Sequence, residues 1–277
     1  MPGRLYVVAT PIGNLGDLSP RALSTLQQVA VIACEDTRTS RVLLDHYGVS
    51  TPTTSLHAHS TEAELTRLLD RLEAGEEIAL ISDAGTPLVS DPGGGLVKQA
   101  IARGVQIVPL PGPSALLAAL VGAGLDLSHF TFLGFLPTRA GDRRETLAKE
   151  RDRAHPLVIY ESPRRVHETL GALLEVLGDR QACVARELTK HFETFDRGSL
   201  SALLSRYAEG TLGEVVIIVD GASAAPAEDR TAAIKDEVLR LSSSGLKTAE
   251  AARRLAGAFG LTRQEAYQAL LDHKPSE

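Results

Sequence analysis

The sequence predicts an α/β protein made of two similar α/β halves and a small all-helical C-terminal segment. Three observations predict it. Apolar runs of strand length recur between residues 5 and 219, and they alternate with segments of helical periodicity. Both patterns give way to helix alone after a small-residue linker, Gly221-Ala222-Ser223-Ala224-Ala225-Pro226. The runs cover residues 5–9, 29–34, 78–82, 105–110, 130–136, 157–161, 182–188 and 215–219. Most are continuous and rich in Val and Ile rather than alternating, the pattern of strands covered on both faces.

The elements between the runs have physical start signals. Ser19-Pro20 and Ser162-Pro163 each read as an N-cap followed by Pro at the first helical position, where no N–H is needed and φ is preset. Thr61-Glu62-Ala63-Glu64 fits a capping box. An Ala- and Leu-rich helix over 114–121 leads into a break at 124–128, with four runs before it and four after. Domains of 1–127 and 128–224 follow, near the usual ~100–150 residues. Residues 227–277 form the tail, within which 246–271 reads as two helices joined at Phe259-Gly260-Leu261. Thr262-Arg263-Gln264-Glu265 supplies a second capping box there. This is a helix-turn-helix pattern with Arg253, Arg254 and Arg263 available to RNA, and a packing or dimerisation element fits it equally.

Composition narrows the function. The 277 residues are 43% apolar and contain no Trp, so Val, Leu, Ile and Ala must build the cores. No run approaches the ~20 apolar residues of a membrane span, and the first ten residues lack the basic flank and long apolar stretch of a secretion signal. Cys34 and Cys183 sit in strand-like runs far apart in sequence, as reduced thiols of a cytoplasmic protein would. A formal charge of −6 disfavours a general nucleic-acid coat but leaves room for a local basic face.

Three Gly- and Pro-rich loops directly follow first-half runs: Thr10–Asp17, residues 82–87 and residues 109–115. In open α/β sheets such loops gather at the carboxyl ends of the strands, where ligands bind. None has the Gly-x-Gly-x-x-Gly fingerprint or a Gly-Lys-Ser/Thr loop, which argues against nicotinamide cofactors and nucleoside triphosphates. Gly112-Pro113-Ser114-Ala115-Leu116 is not a nucleophile elbow. His57-Ala58-His59 lacks a third ligand, so no metal site is expected.

Several stretches make the reading specific. They are Val8-Ala9-Thr10-Pro11-Ile12-Gly13-Asn14-Leu15, Glu35-Asp36-Thr37-Arg38, Ser82-Asp83-Ala84-Gly85-Thr86-Pro87 and Pro109-Leu110-Pro111-Gly112-Pro113, then Tyr160-Glu161-Ser162 and Ala185-Arg186-Glu187-Leu188-Thr189-Lys190. In order and spacing they resemble the tetrapyrrole methylases, in particular the branch that acts on small-subunit ribosomal RNA. The resemblance implies two α/β domains with S-adenosyl-L-methionine held in the cleft between them. It implies donor contacts from Pro11, Asp83, Ala84, Gly85, Leu88, Val89, Ser114 and Ala115, joined by Tyr160, Ala185, Gly213, Glu214 and Val215 of the second domain. Tetrapyrrole enzymes usually have Gly-Asp-Pro where this chain has Ser82-Asp83-Ala84, which leaves the contacts around Leu88 to Asp91 open. The implied reaction is 2′-O-methylation of the ribose of a cytidine in the decoding region of 16S ribosomal RNA, within the small subunit, by a cytoplasmic homodimer.

Such a reaction needs alignment of a ribose oxygen with an already activated methyl, and a group to manage the proton. Among Glu35, Asp36, Arg38, His57, Glu161, Glu187 and Lys190, the choice for the reacting end is Lys190 with Glu161 and Glu187, since these residues follow or end second-half runs. The same residues would also serve as an interdomain ion-pair cluster. Candidates for contacting RNA are Asn14, Asp36, Arg38, His57, Arg139, Arg143 and Arg144. A mixed-charge stretch such as 139–153 also describes an ordinary solvated helix face. Methylation of a tetrapyrrole or diphthine-type substrate, or a non-catalytic RNA-binding adaptor, are the competing readings.

Overall fold

Ten strands among the described residues form two five-stranded sheets in a computed structural model, which describes residues 1–222, 227–242, 246, 248–259 and 261–271. The linker positions 223–226, Gly260 of the predicted helix junction, and residues 272–277 of the tail lie outside the described residues. Both sheets belong to one compact unit, Met1–Gly221, and Ala222–Glu277 is a second. No described helix is long and apolar enough to cross a membrane.

The first sheet holds β1 (Arg4–Val8), β2 (Val31–Cys34), β3 (Thr53–Ser55), β4 (Ile78–Ile81) and β5 (Gln106–Leu110). All pairings are parallel, in the order β3-β2-β4-β1-β5. Its helices are α1 (Pro20–Gln28), α2 (Thr37–His46), α3 (Glu62–Glu73), α4 (Gly94–Ala102) and α5 (Ala115–Ala123). Successive strand residues face opposite layers. Leu5, Val31, Ala33, Ile78 and Leu80 pack with Leu69 and Leu72 of α3 and Leu96 of α4. Val8, Ile32, Cys34, Ala79 and Ile81 pack with Leu26 of α1 and Leu44 of α2. Burial on both faces is why these strands read as unbroken apolar runs.

The second sheet holds β6 (Thr131–Phe135), β7 (Leu157–Glu161), β8 (Gln181–Arg186), β9 (Thr194–Ser199) and β10 (Val215–Val219), in the order β6-β7-β10-β8-β9. It is mixed: β6 runs parallel to β7, while β10 is antiparallel to both β7 and β8. One face packs on α7 (Val166–Leu177) and α8 (Leu200–Arg206), through Leu157, Ile159, Val184 and Ile217. The other face packs on α5, where Val158, Cys183, Ala185, Val216 and Ile218 meet Ala119, Leu120 and Ala123. The last helix of the first half therefore roofs the sheet of the second. Gly122 permits this approach, since a Cβ there would lie 2.1 Å from the Phe195 ring.

The predicted caps have two outcomes. Ser19 accepts from the Ala22 N–H, and both bonds of the Thr61 capping box form. Ser162 makes no cap; a 3-10 turn, Pro163–Arg165, precedes α7, and the Ser162 N–H instead donates to the Glu161 carboxylate at 2.8 Å. Every predicted run contains a strand, and β3 and β9 are additional. Both are edge strands of polar composition.

The tail has α9 (Ala227–Ser242), α10 (Thr248–Phe259) and α11 (Arg263–Leu271) around a core of its own, including Val238, Leu241, Ala251, Leu255, Ala266 and Leu270. The second capping box is formed: Glu265 accepts from the Thr262 N–H at 2.8 Å, and the Glu265 N–H donates to the Thr262 hydroxyl at 3.2 Å.

Candidate active site

The order of the first sheet decides where the site is. β4, β1 and β5 are neighbours and parallel, so the three Gly- and Pro-rich loops leave the same sheet edge side by side. Backbone bonds stitch them together. Thr10 and Gly85 exchange N–H···O bonds of 2.9 and 3.0 Å, the Thr10 hydroxyl donates to the Ser82 carbonyl, and the Thr86 hydroxyl donates to the Pro113 carbonyl. The Glu35-Asp36 turn after β2 joins them, with the Asp36 N–H donating to Asp83 at 3.2 Å.

Opposite these loops stand the ends of β6, β7 and β8 and the start of β10. They enclose with the loops a cavity of about 260 Å³. Of the residues implied as donor contacts, Asp83, Ala84, Gly85, Val89, Ser114, Ala115, Tyr160, Glu214 and Val215 line it. Pro11, Leu88, Ala185 and Gly213 stand behind the lining. Pro11 precedes the lining residue Ile12, Leu88 packs into the core under Gly93, and Ala185 is fully buried against α5. Gly213 has φ +83°, and a Cβ there would lie 2.2 Å from the Glu187 carboxylate.

Tyr160 ties the halves together: its hydroxyl accepts the Leu116 N–H at 3.1 Å, in the first turn of α5. Phe132 and Phe135 pack edge-on against its ring at 4.9 and 5.7 Å. Burial raises the Tyr160 phenol above its ordinary pKa, so it stays neutral in the site.

The charge of the cavity is one-sided. Its ionisable lining is Asp83, Asp91, Tyr160, Glu161 and Glu214, with no Lys, Arg or His. Burial, followed by the nearby Glu35 charge, pushes Asp91 up to about 6. Burial and Asp83 likewise raise Glu35. Carboxylates crowded in this way disfavour one another's ionisation and favour a cation among them.

The structure places the residues chosen for the reacting end in two settings. Glu161 borders the cavity, but its side chain is fully buried and fully committed: one oxygen accepts from the Ser162 N–H, the other accepts the buried Thr169 hydroxyl at 2.6 Å and pairs with Arg165 at 3.4 Å. Lys190 lies just behind the wall, its ammonium bridging Glu187 at 3.0 Å and Glu214 at 3.2 Å. Its stem crosses the first-half loop at Gly13, where φ is +146° and a Cβ would lie 2.5 Å from Lys190 Cγ. Burial pulls the Lys190 pKa down, but the Glu187 and Glu214 carboxylates outweigh it and hold it above the ordinary value. Lys190 is thus a fixed cation and no proton acceptor. Glu187 is depressed, first by its bond to Lys190.

The residues considered for RNA contact divide as well. Asn14 caps the short 3-10 helix Leu15–Asp17. Asp36 caps α2 and is bridged by Arg38, whose bonds hold its carboxyl down at about 2. His57 accepts the His59 N–H through Nδ1. Arg139 is exposed at the start of α6 (Ala140–Ala148), and Arg144 pairs with Glu175 at 2.9 Å. Arg143 is 2% exposed and bonds the Pro137 and Thr138 carbonyls and Glu168, so its guanidinium faces the protein interior. Among the described residues, no group of three His, Cys, Asp or Glu is placed to hold a metal ion.

Sequence reasoning left out Ile12, Thr86, Ser90, Asp91, Phe135, Leu188 and Val216 of the lining. One signal for Asp91 was present: it sits between Ser90 and Pro92-Gly93, in the same loop system. Backbone strain gives another. The non-glycine residues with left-handed φ among those described are Leu88, Ser90, Glu187 and Thr189, all in the two loops that meet at this cavity. Such conformations cost of order 1–3 kcal/mol each and persist where surrounding structure enforces them, often at functional sites.

Comparison with known proteins bears on the family and the fold. The family model for Tetrapyrrole (Corrin/Porphyrin) Methylases matches residues 4–204. The chain is 46% identical over 273 residues to ribosomal RNA small subunit methyltransferase I of Mesorhizobium japonicum, covering 98% of this chain and 92% of that one. It is 44% identical to the Pseudomonas aeruginosa protein of the same name, over 98% of each. Among solved structures, diphthine synthase superposes with TM-score 0.61 at 14% identity, covering 79% of this chain and 90% of that one. Uroporphyrin-III C-methyltransferase from Thermus thermophilus, complexed with S-adenosylhomocysteine, gives 0.56 at 20%, covering 79% and 97%. At those identities the structural likeness concerns the fold.

Proposed function

The chain belongs to the tetrapyrrole methylase family, and from that premise we propose that it uses S-adenosylmethionine to 2′-O-methylate the ribose of a cytidine in the decoding region of 16S ribosomal RNA. The observation that carries the reading is the near full-length identity to a relative named for small-subunit ribosomal RNA methylation. The substrate is the RNA within the small subunit, and the working form is a cytoplasmic homodimer.

The cavity suits the donor in charge. Bound there, S-adenosylmethionine supplies a methyl already activated on a sulfonium, and the donor is cationic overall at neutral pH. Asp83 and Asp91 offer carboxylates with no cation in the lining beside them, while the Glu214 carboxylate is already bridged by Lys190. Tyr160, Phe135, Ile12 and the small Ala84 and Ala115 give apolar surface and shape, and exclude water from the methyl. The half-domains 1–127 and 128–224 each supply one wall. As the new O–CH3 bond forms and the donor's S–CH3 bond breaks, the ribose proton passes to water, and Lys190, held charged beside Glu214, stabilises the negative charge that develops on the oxygen.

Label transfer from tritiated donor to purified small subunits tests the activity, with nuclease mapping to locate the label. Methylation is expected on ribose and to survive chelator. Label on a base, or label on a corrin or porphyrin with none on subunits, would overturn the proposal.

Asp91 gives the donor site a pH dependence. Since its carboxyl titrates near 6, donor affinity should fall as pH drops from 7 to 5, about tenfold, because the protonated group no longer attracts the cation. Asp91→Asn should bind the donor about tenfold more weakly at pH 7.5 and lose that dependence. The same substitution should stabilise the free protein. A raised carboxyl pKa means the folded state holds its proton more tightly than the unfolded chain, so stability falls as pH rises from the ordinary carboxylate range toward 6 and stays lower above it. Asn removes that cost, so Tm without donor should rise at pH 7.5 and not at pH 4. Calorimetric titration and thermal melts at both pH values check the pair of expectations.

A further inference from the structure

The tail contains a second site of a different character. Ala249, Glu250, Ala252 and Arg253 of α10 and Arg263 and Tyr267 of α11 line a groove of about 450 Å³ between the two helices. Arg263 and Tyr267 are four residues apart, so they share one face of α11. Arg253, Arg263 and Tyr267 are all exposed, and neither guanidinium has a partner among the described residues. Two other tail arginines are committed: Arg254 bonds Glu250 at 3.1 Å, which also occupies the one carboxylate lining the groove, and Arg240 is held twice by Glu237.

Charge distribution gives this groove its weight. Residues 222–277 hold eight Lys and Arg against eight Asp and Glu, so the entire −6 lies in residues 1–221. A polyanion meets net repulsion there and none from the tail. Two free guanidiniums flanking a half-exposed phenol ring, 44% accessible, offer the two contacts that single-stranded nucleic acid uses: phosphates on cations and a base stacked on an aromatic face. A helix-turn-helix inserts its second helix into the wide major groove of B-form DNA, but A-form RNA has a deep, narrow major groove that excludes it. With RNA as the partner, insertion of α11 into a major groove is closed off, and the groove between α10 and α11 offers a different contact surface.

We propose that the groove between α10 and α11 is a binding site for single-stranded RNA, in which Arg253 and Arg263 take neighbouring phosphates and Tyr267 stacks on a base. The proposal rests on the reading that the chain acts on ribosomal RNA, and it assigns to the tail a role in holding unpaired RNA. It also separates Arg254, which neighbours Arg253 in sequence, from the site.

Fluorescence anisotropy of the full-length protein with a labelled single-stranded RNA dodecamer, and with the same strand in a duplex, tests it. Wild type should prefer the single strand. Arg253→Gln with Arg263→Gln should lower the slope of log affinity against log salt by about 1.4, the release expected for two single-strand phosphates at ~0.7 each. Tyr267→Ala should weaken binding about tenfold or more, with Tyr267→Phe within about twofold of wild type, since Phe keeps the stacking face. Arg254→Gln should bind as wild type. Preference for duplex, wild-type binding by the double variant and Tyr267→Ala, or an equal loss with Arg254→Gln would each overturn the assignment. Subunit methylation measured on the same proteins separates the two readings: a wild type that binds single strands in this pattern but methylates no ribosomal RNA refutes the function and leaves the groove standing.

Discussion

Lys190→Ala should lower turnover by about 10²–10³-fold while changing donor affinity by less than about threefold. The magnitude is that of removing one preorganised group that stabilises developing negative charge. The ammonium is fixed by Glu187 and Glu214 at 3.0 and 3.2 Å, which leaves a third N–H that, in the proposed reaction, meets the reacting oxygen. Because both carboxylates hold Lys190 above its ordinary pKa, the activity loss should be the same at pH 7 and pH 9, and no rate limb should report a lysine losing its proton in that range. An interaction made mainly in the transition state lowers kcat and kcat/KM together. Lys190→Arg, which keeps the charge, should recover part of the rate. Single-turnover kinetics on small subunits with saturating donor checks this, and wild-type turnover in Lys190→Ala would reduce the residue to a tie between the 187–190 loop and Gly13.

Glu161→Ala should cost about 3 kcal/mol of stability, the largest effect expected on the fold from any site residue. Removing one member of a buried ion pair typically costs ~3–5 kcal/mol because the other charge is left uncompensated. The lower end applies, since Arg165 is 22% exposed and also bonds the Leu136 carbonyl. Truncation would in addition orphan the Thr169 hydroxyl, which is fully buried. Glu161→Gln should be milder, because an amide oxygen still accepts from Thr169 or Ser162. Urea denaturation of both variants measures the difference. If Glu161→Ala instead folds with wild-type stability and loses turnover alone, Glu161 acts on the substrate and its hydrogen bonds are incidental.

These two residues show where sequence reading and structure part. Both stand out in the sequence because they end or follow second-half runs; in the fold Glu161 borders the cavity and Lys190 lies behind its wall. Their partners were not legible: Thr169 is eight residues from Glu161 along the chain but one helix away, and Glu214 meets Lys190 across 24 residues. Glu161 was read beside Lys190 as one group, whereas the fold binds Glu161 to α7 and Lys190 to the β10 start. In the sequence Arg143 stands with Arg139 and Arg144 as a candidate for contacting RNA in a mixed-charge stretch, and only the packing of α6 on α7 turns it inward to Glu168.

The sequence by itself determined the central strands, since residues covered on both faces must be apolar at consecutive positions, as in Val215–Val219 and Ile78–Ile81. It determined helix starts where a cap is a local interaction, as at Ser19, Thr61 and Thr262. It determined the family as well, because loop signatures such as Ser82-Asp83-Ala84-Gly85-Thr86-Pro87 are contiguous. Tertiary structure alone decided the edges: β3 and β9 have one neighbour each, remain partly exposed, and so need no apolar run to mark them. It alone decided that β4, β1 and β5 lie side by side, which converts three separate turns into one cavity wall, and that α5 crosses to roof the second sheet. The same arrangement raised Asp91, first by burying it and then by placing it near Glu35, a charge that lies far from it in sequence. Local pattern encodes burial and backbone start points; the state of a side chain depends on what other parts of the chain bring within a few ångströms of it.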